Sequence, residues 1–131
     1  MREKTFVIFD FETTGKSYIT NKIIELGAVR LVNGKIVDTF STMVNPECRI
    51  PAEITRLTGI TDSMVEDAPT FPEIIADFYK FCYNATIVAH NLNFDMGFIY
   101  NVANKYSYKF DNNTLDTLEI SRQKVKGLRN Y

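Results

Sequence analysis

Two acids stand two places apart where an apolar run gives way to a polar turn. In FVIFDFETTG, residues 6–15, Asp10 and Glu12 are followed by Thr13, Thr14 and Gly15. Side chains at i and i+2 of an extended strand leave the same face, so the two carboxylates project together. Like charges held close repel unless a cation lies between them. A donor set made only of oxygen suits hard ions such as Mg²⁺ or Mn²⁺. The hydroxyls of Thr13 and Thr14 and the open backbone at Gly15 suit the surroundings of a nucleotide. The plainer alternative is that Asp10 ends a strand and Glu12 is solvated.

A second constellation repeats the pattern. VAHNLNFD, residues 88–95, is an apolar strand, a polar turn and an acid in a first helical turn. Helical side chains lean toward the N-terminus, which turns Asp95 toward the edge that carries Asp10 and Glu12. Three convergent carboxylates fit a two-metal site, with ions roughly 3.5–4 Å apart that activate water and hold a leaving oxygen. The alternative for Asp95 is a charge stabilising a helix N-terminus. His90 has no partner cluster and reads as a hydrogen-bonded structural residue; Asn91 caps a turn or touches a phosphate.

The elements that must position these groups are legible. Residues 5–10 read as a buried strand and 23–32, IIELGAVRLV, as a second. Asn-Gly at 33–34 is a strong hairpin signal, and 36–44 form the third strand of an antiparallel meander. Pro51 suits the first position of a short helix and Gly59 its C-terminal cap. Thr70 and Glu73 have capping-box spacing ahead of an amphipathic run to about residue 82. Residues 85–90 are a short buried strand, Asn93 caps the helix that follows, and NTLDTLEISRQ turns from strand to helix. The expected order is βββαβαβα, a mixed α/β sheet flanked by helices.

Composition bounds the rest. The chain has 131 residues, 45% hydrophobic and 24% charged, which suits one domain spanning 1–131. A net charge of -1 gives no global basic field, so nucleic acid would be met through a local patch or metal ions. Cys48 and Cys82 lie far apart, with Cys82 in an apolar helical stretch, which points to a reducing, cytoplasmic setting. No apolar run approaches membrane-span length.

FDFETTG, IIELGAV, PAEITRLTGIT and VAHNLNFDMGF, in this order, resemble the DnaQ-like 3′–5′ exonucleases of the DEDD group. The likeness runs from about residue 5 to the end of the chain and is strongest to the proofreading exonucleases of bacterial replicative DNA polymerases. It implies a ribonuclease H-like fold and metal-dependent hydrolysis of single-stranded DNA 3′ ends to nucleoside monophosphates, with a polymerase subunit or domain as partner. Asp10 and Glu12 match the family's first metal-binding motif and Asp95 its second. Glu53 and Thr58 match residues that line the terminal nucleotide's pocket in some members, with Thr58 standing where relatives carry His. Asp116 matches a recurrent family residue and reads as an acid capping the next helix.

The family completes its site with a fourth Asp on a C-terminal helix, preceded five places earlier by a His that serves as general base. This chain has one histidine, His90, and no Asp after Asp116. The last eleven residues, SRQKVKGLRNY, hold four basic side chains and no stop signal, so the domain reads as C-terminally incomplete and weak or inactive by itself. Three rivals stay open. One is a non-cutting module that binds nucleic acid or a polymerase, with Phe94, Phe98, Tyr100, Tyr106 and Tyr108 as stacking candidates. Another is an RNA-directed exonuclease of the same fold. The third is an aspartate-based phosphatase, since Asp10-Phe11-Glu12-Thr13-Thr14 approximates its Asp-x-Asp-x-Thr motif.

Overall fold

Alternation in the first strand sets the layout. Val7, Phe9 and Phe11 are buried, whereas Ile8 and Asp10 are exposed and Glu12 half-buried on the opposite face. The computed structural model describes residues 4–17, 19–90 and 92–117, with backbone only at 92–94. Among them, β1 (Thr5–Thr13), β2 (Ile23–Val32) and β3 (Lys35–Met43) form the antiparallel meander. β4 (Thr86–Ala89) and β5 (Thr114–Asp116) join parallel, and the strand order is β3-β2-β1-β4-β5. The β2–β3 turn has positive φ at both Asn33 (52°) and Gly34 (82°), as a two-residue hairpin with right-handed strand twist requires.

Helices cover the apolar face. α3 (Phe71–Phe81) buries Phe71, Ile74, Ile75 and Phe78, spaced i, i+3, i+4 and i+7. Its capping box forms as the spacing predicts, with Glu73 accepting hydrogen bonds from the Thr70 amide and hydroxyl. Phe78 is fully buried and meets Phe9, Phe40 and Phe110 with ring centroids 5.7, 5.8 and 6.1 Å away. Arg30 of β2 donates to the carbonyls of Phe81 (2.7 Å) and Tyr83 (3.2 Å). A cation thus meets the negative end of α3 and locks it to the sheet. α4 (Leu92–Ala103) adds Met96, Phe98, Ile99 and Ala103 to this core. A smaller cluster of Ile24, Ile50, Ile60 and Val65 seats α1 (Ala52–Thr58) and α2 (Asp62–Val65).

Four sequence expectations need correction. β1 runs on to Thr13, because the ladder to β2 continues through Glu12↔Glu25 and, past a bulge, Thr13↔Ile23. Asp10 and Glu12 therefore lie within a strand and not at its end. Three helices separate β3 from β4, where the Pro51–Gly59 and Thr70–Glu73 signals announce two and the expected element order holds one. The short α2 has no long periodic pattern to announce it; Asp62 accepts from the Ile50 amide at 2.8 Å and ties its start to the chain before α1. Pro51 is the residue before α1 and not its first residue. Asn93 is the second residue of α4, inside the helix and not the residue before it. The helix expected after Asp116 lies outside the described residues. Gly59 does close α1, with a left-handed φ of 77° and its amide bonded to the Thr55 carbonyl.

Candidate active site

Topology brings the acids together. β1 and β4 are parallel neighbours, with Ile8 opposite Val88, so both strands lead toward the same sheet edge. Asp10 lies two residues beyond Ile8, and β4 passes directly into α4, whose first turn carries Asp95. In α/β sheets that edge, outside the carboxyl ends of parallel strands, is where ligands bind.

Asp95 is only 3% exposed, and its Oδ2 has no hydrogen-bond partner. Burial, then the charges of Asp10 and Asp116, push its carboxyl up to about 7. Glu12 is also raised, by burial first and then by Asp10 and Glu25. The charge of Asp10 thus acts on both of the other acids. The donors are all oxygen, and the interior one is an orphan. That set fits a hard divalent cation, since an unpaired buried carboxylate is otherwise costly. Among the described residues, however, no group of three acid, histidine or cysteine side chains stands close enough to hold an ion at once. The acids form a row and not a closed cage. Asp10 and Glu12 are not buried, so their side chains can turn toward Asp95.

The side chains of the Thr-Thr-Gly turn make local bonds. Thr14 is buried, with its hydroxyl accepting from the Lys22 amide at 2.9 Å and its own amide donating to the Lys22 carbonyl at 2.8 Å. The Thr13 hydroxyl donates to the Gly15 carbonyl at 2.7 Å. Gly15 is needed for a neighbouring side chain: a Cβ there would stand 2.6 Å from the Asn21 carboxamide. That carboxamide in turn accepts from the Ser17 amide at 3.0 Å. These residues brace the loop beside Glu12. Gly15→Ala should therefore break the Asn21–Ser17 bond and cost about 1–3 kcal/mol in urea denaturation. Adding Asn21→Gly should recover part of the loss; full stability of Gly15→Ala alone would show that the loop yields freely.

The remaining site candidates stand on other elements. Glu53 is exposed on α1. The Thr58 hydroxyl is engaged locally, donating to the Ile54 carbonyl (2.8 Å) and accepting from the Ile60 amide (3.1 Å). Asn91 lies outside the described residues. His90 Nδ1 is 3.1 Å from the Thr117 hydroxyl, in keeping with a hydrogen-bonded structural role. Cys82 is buried and Cys48 exposed, both free thiols. Two further acids reach the row: Glu25, opposite Glu12, which sequence reasoning passed over, and Asp116, read from the sequence as a helix cap, whose charge acts on Asp95. A lone acid among the apolar residues of IIELGAV was the available signal for Glu25. A separate cavity of about 360 Å³, lined by Lys22, Cys48, Phe71 and Lys105 among others, has none of the three carboxylates in its wall.

An exonuclease family model, RNase_T, matches residues 7–131. The chain belongs to this exonuclease family. It is 52% identical over 129 residues to the PolC-type DNA polymerase III of Caldanaerobacter subterraneus subsp. tengcongensis, covering 98% of this chain and 9% of that protein. It is 42% identical over 134 residues to the PolC-type DNA polymerase III of Bacillus subtilis, covering 100% of this chain and 9% of that protein. The chain thus spans about a tenth of the length of these relatives. Product-bound exonuclease I superposes with a TM-score of 0.81 at 18% identity, covering 92% of this chain and 31% of that one. Escherichia coli exonuclease I in complex with a dT13 oligonucleotide gives 0.80 at 18% identity, covering 92% and 29%. These likenesses bear out the ribonuclease H-like, mixed-sheet fold expected of the exonuclease. Among the described residues no helix is long and apolar enough to cross a membrane.

Proposed function

We propose that this exonuclease-family chain serves a PolC-type DNA polymerase III, removing nucleoside monophosphates from single-stranded DNA 3′ ends in a proofreading role. The observation that carries the reading is the buried Asp95 carboxylate, orphaned at Oδ2 and facing the charge of Asp10. Asp10, Glu12 and Asp95 are the residues that would hold Mg²⁺ or Mn²⁺, which when bound polarises a scissile phosphate and lowers the pKa of water. The braced Thr13–Gly15 turn fixes where Glu12 stands. Glu53 and Thr58 on α1, and Asn91, are the proposed contacts to the terminal nucleotide, with Thr58 offering its remaining acceptor capacity.

A second reading, a module that binds a 3′ end or a polymerase without cutting it, has one observation in its favour. The chain's one histidine is engaged with Thr117, so it offers no second imidazole to take a proton from water. General-base assistance is worth about 10²–10⁴-fold in rate. The 131 residues alone should therefore cut slowly or not at all. A polypeptide that also carries the family's His-x4-Asp should cut in a metal-dependent way. The measurement is release of label from a 3′-labelled single strand, with a 5′-labelled strand as the polarity control. Robust, Asp10-dependent digestion by the 131 residues would show that the missing base does not limit them. No digestion by the longer polypeptide would favour the binding module.

A further inference from the structure

β2 carries one acid amid apolar neighbours, Glu25 in Ile23–Leu26, and the antiparallel register places it opposite Glu12. Opposite residues of such a pair share a face with Cβ atoms about 4.5–5.5 Å apart, where like charges destabilise the ladder. Asp10 lies on the same face, opposite Gly27, which puts no side chain between it and the pair. Both charges acting on Glu12 are negative, those of Asp10 and Glu25. Farther along the row, the Asp95 carboxylate is buried with an unpartnered oxygen.

We infer that Glu25 is a positioning residue of the cation clamp, its charge set against Glu12 so that metal-free protein is strained and a divalent cation is held more tightly. The inference rests on the clamp reading of Asp10, Glu12 and Asp95. Repulsion among Glu25, Glu12 and Asp10 is present in the metal-free fold and relieved when a double positive charge sits beside them. Removing the Glu25 charge should thus move two observables in opposite directions. A purely structural role would lower stability without that exchange.

The test uses the 131-residue chain and its Glu25→Gln, Asp10→Ala and Asp111→Asn variants. Asp111 precedes β5 at the other end of the sheet and serves as the charge control. Mn²⁺ affinity is read by calorimetry and thermal melting is followed in chelator. Glu25→Gln should bind Mn²⁺ about three- to tenfold more weakly, melt higher than wild type in chelator, and gain less from added Mn²⁺. Asp10→Ala should lose most binding, and Asp111→Asn should bind as wild type does. If Asp10→Ala binds like wild type, the clamp reading falls and this inference with it. If Asp10→Ala loses binding while Glu25→Gln binds as wild type does, or melts no higher in chelator, Glu25 alone is wrongly placed. Equal weakening by Asp111→Asn would also overturn it.

Discussion

Asp10→Ala is expected to lower 3′-end cleavage by about a thousandfold or more, in a polypeptide that also carries the family's fourth Asp and its His. The reason is the reach of its charge. Asp10 acts on both Glu12 and Asp95, whereas Glu12 is not among the charges that shift Asp95. Without it the site loses the acid whose charge acts on both of the others. Charge stabilisation at a scissile phosphate is worth several kcal/mol, and each 1.4 kcal/mol or so is tenfold in rate. Asp10 is exposed and outside the core, so the variant should fold with an unchanged circular dichroism spectrum. The decisive measurement is single-turnover release from a 3′-labelled strand in Mn²⁺, with Glu53→Ala beside it. Glu53 sits exposed on α1, outside the three proposed metal ligands, and should change KM more than kcat. Undiminished cleavage by Asp10→Ala would remove it from the site.

Metal-free protein should lose stability as pH rises from about 4 to about 7, with Asp95 responsible for most of the slope. Burial, reinforced by Asp10 and Asp116, pushes this carboxyl from its ordinary 3.8 to about 7. In that window the folded protein keeps a proton that the unfolded chain has released. Its contribution is therefore complete below about pH 4 and is lost as pH rises through the folded value. The total is on the order of 2–4 kcal/mol, a large share of a small domain's stability. Glu12, raised in the same direction, adds to the slope. Asp95→Asn preserves shape and removes the charge, so it should flatten the profile and leave the variant more stable than wild type at pH 8 in chelator. Added Mn²⁺ should stabilise wild type at pH 8 and do little for the variant. Urea midpoints across pH in chelator decide the matter; a slope identical in Asp95→Asn would place its cause elsewhere.

Local chemistry made much of this protein legible from its sequence. Asn33-Gly34, Gly59 and the Thr70–Glu73 box are short-range signals whose physics is complete within a few residues, and each forms as expected. The same holds for the period-2 pairing of Asp10 with Glu12 on one face and for the burial of Cys82. The family is written in motifs distributed along the chain, and the model spanning residues 7–131 bears it out. What pairs across the sheet was decided by tertiary structure alone. The β1–β2 register carried β1 past Asp10 and set Glu25 against Glu12, and no local pattern fixes a partner some thirteen residues away. Packing also set Gly15 against Asn21, for which its missing side chain makes room, and engaged the hydroxyls of Thr13, Thr14 and Thr58 in local bonds. The burial of Asp95 arises as α4 packs onto the sheet at β4 and β5. Sequence supplied the carboxylates; desolvation and mutual repulsion, which exist only once the sheet is assembled, give them their chemistry.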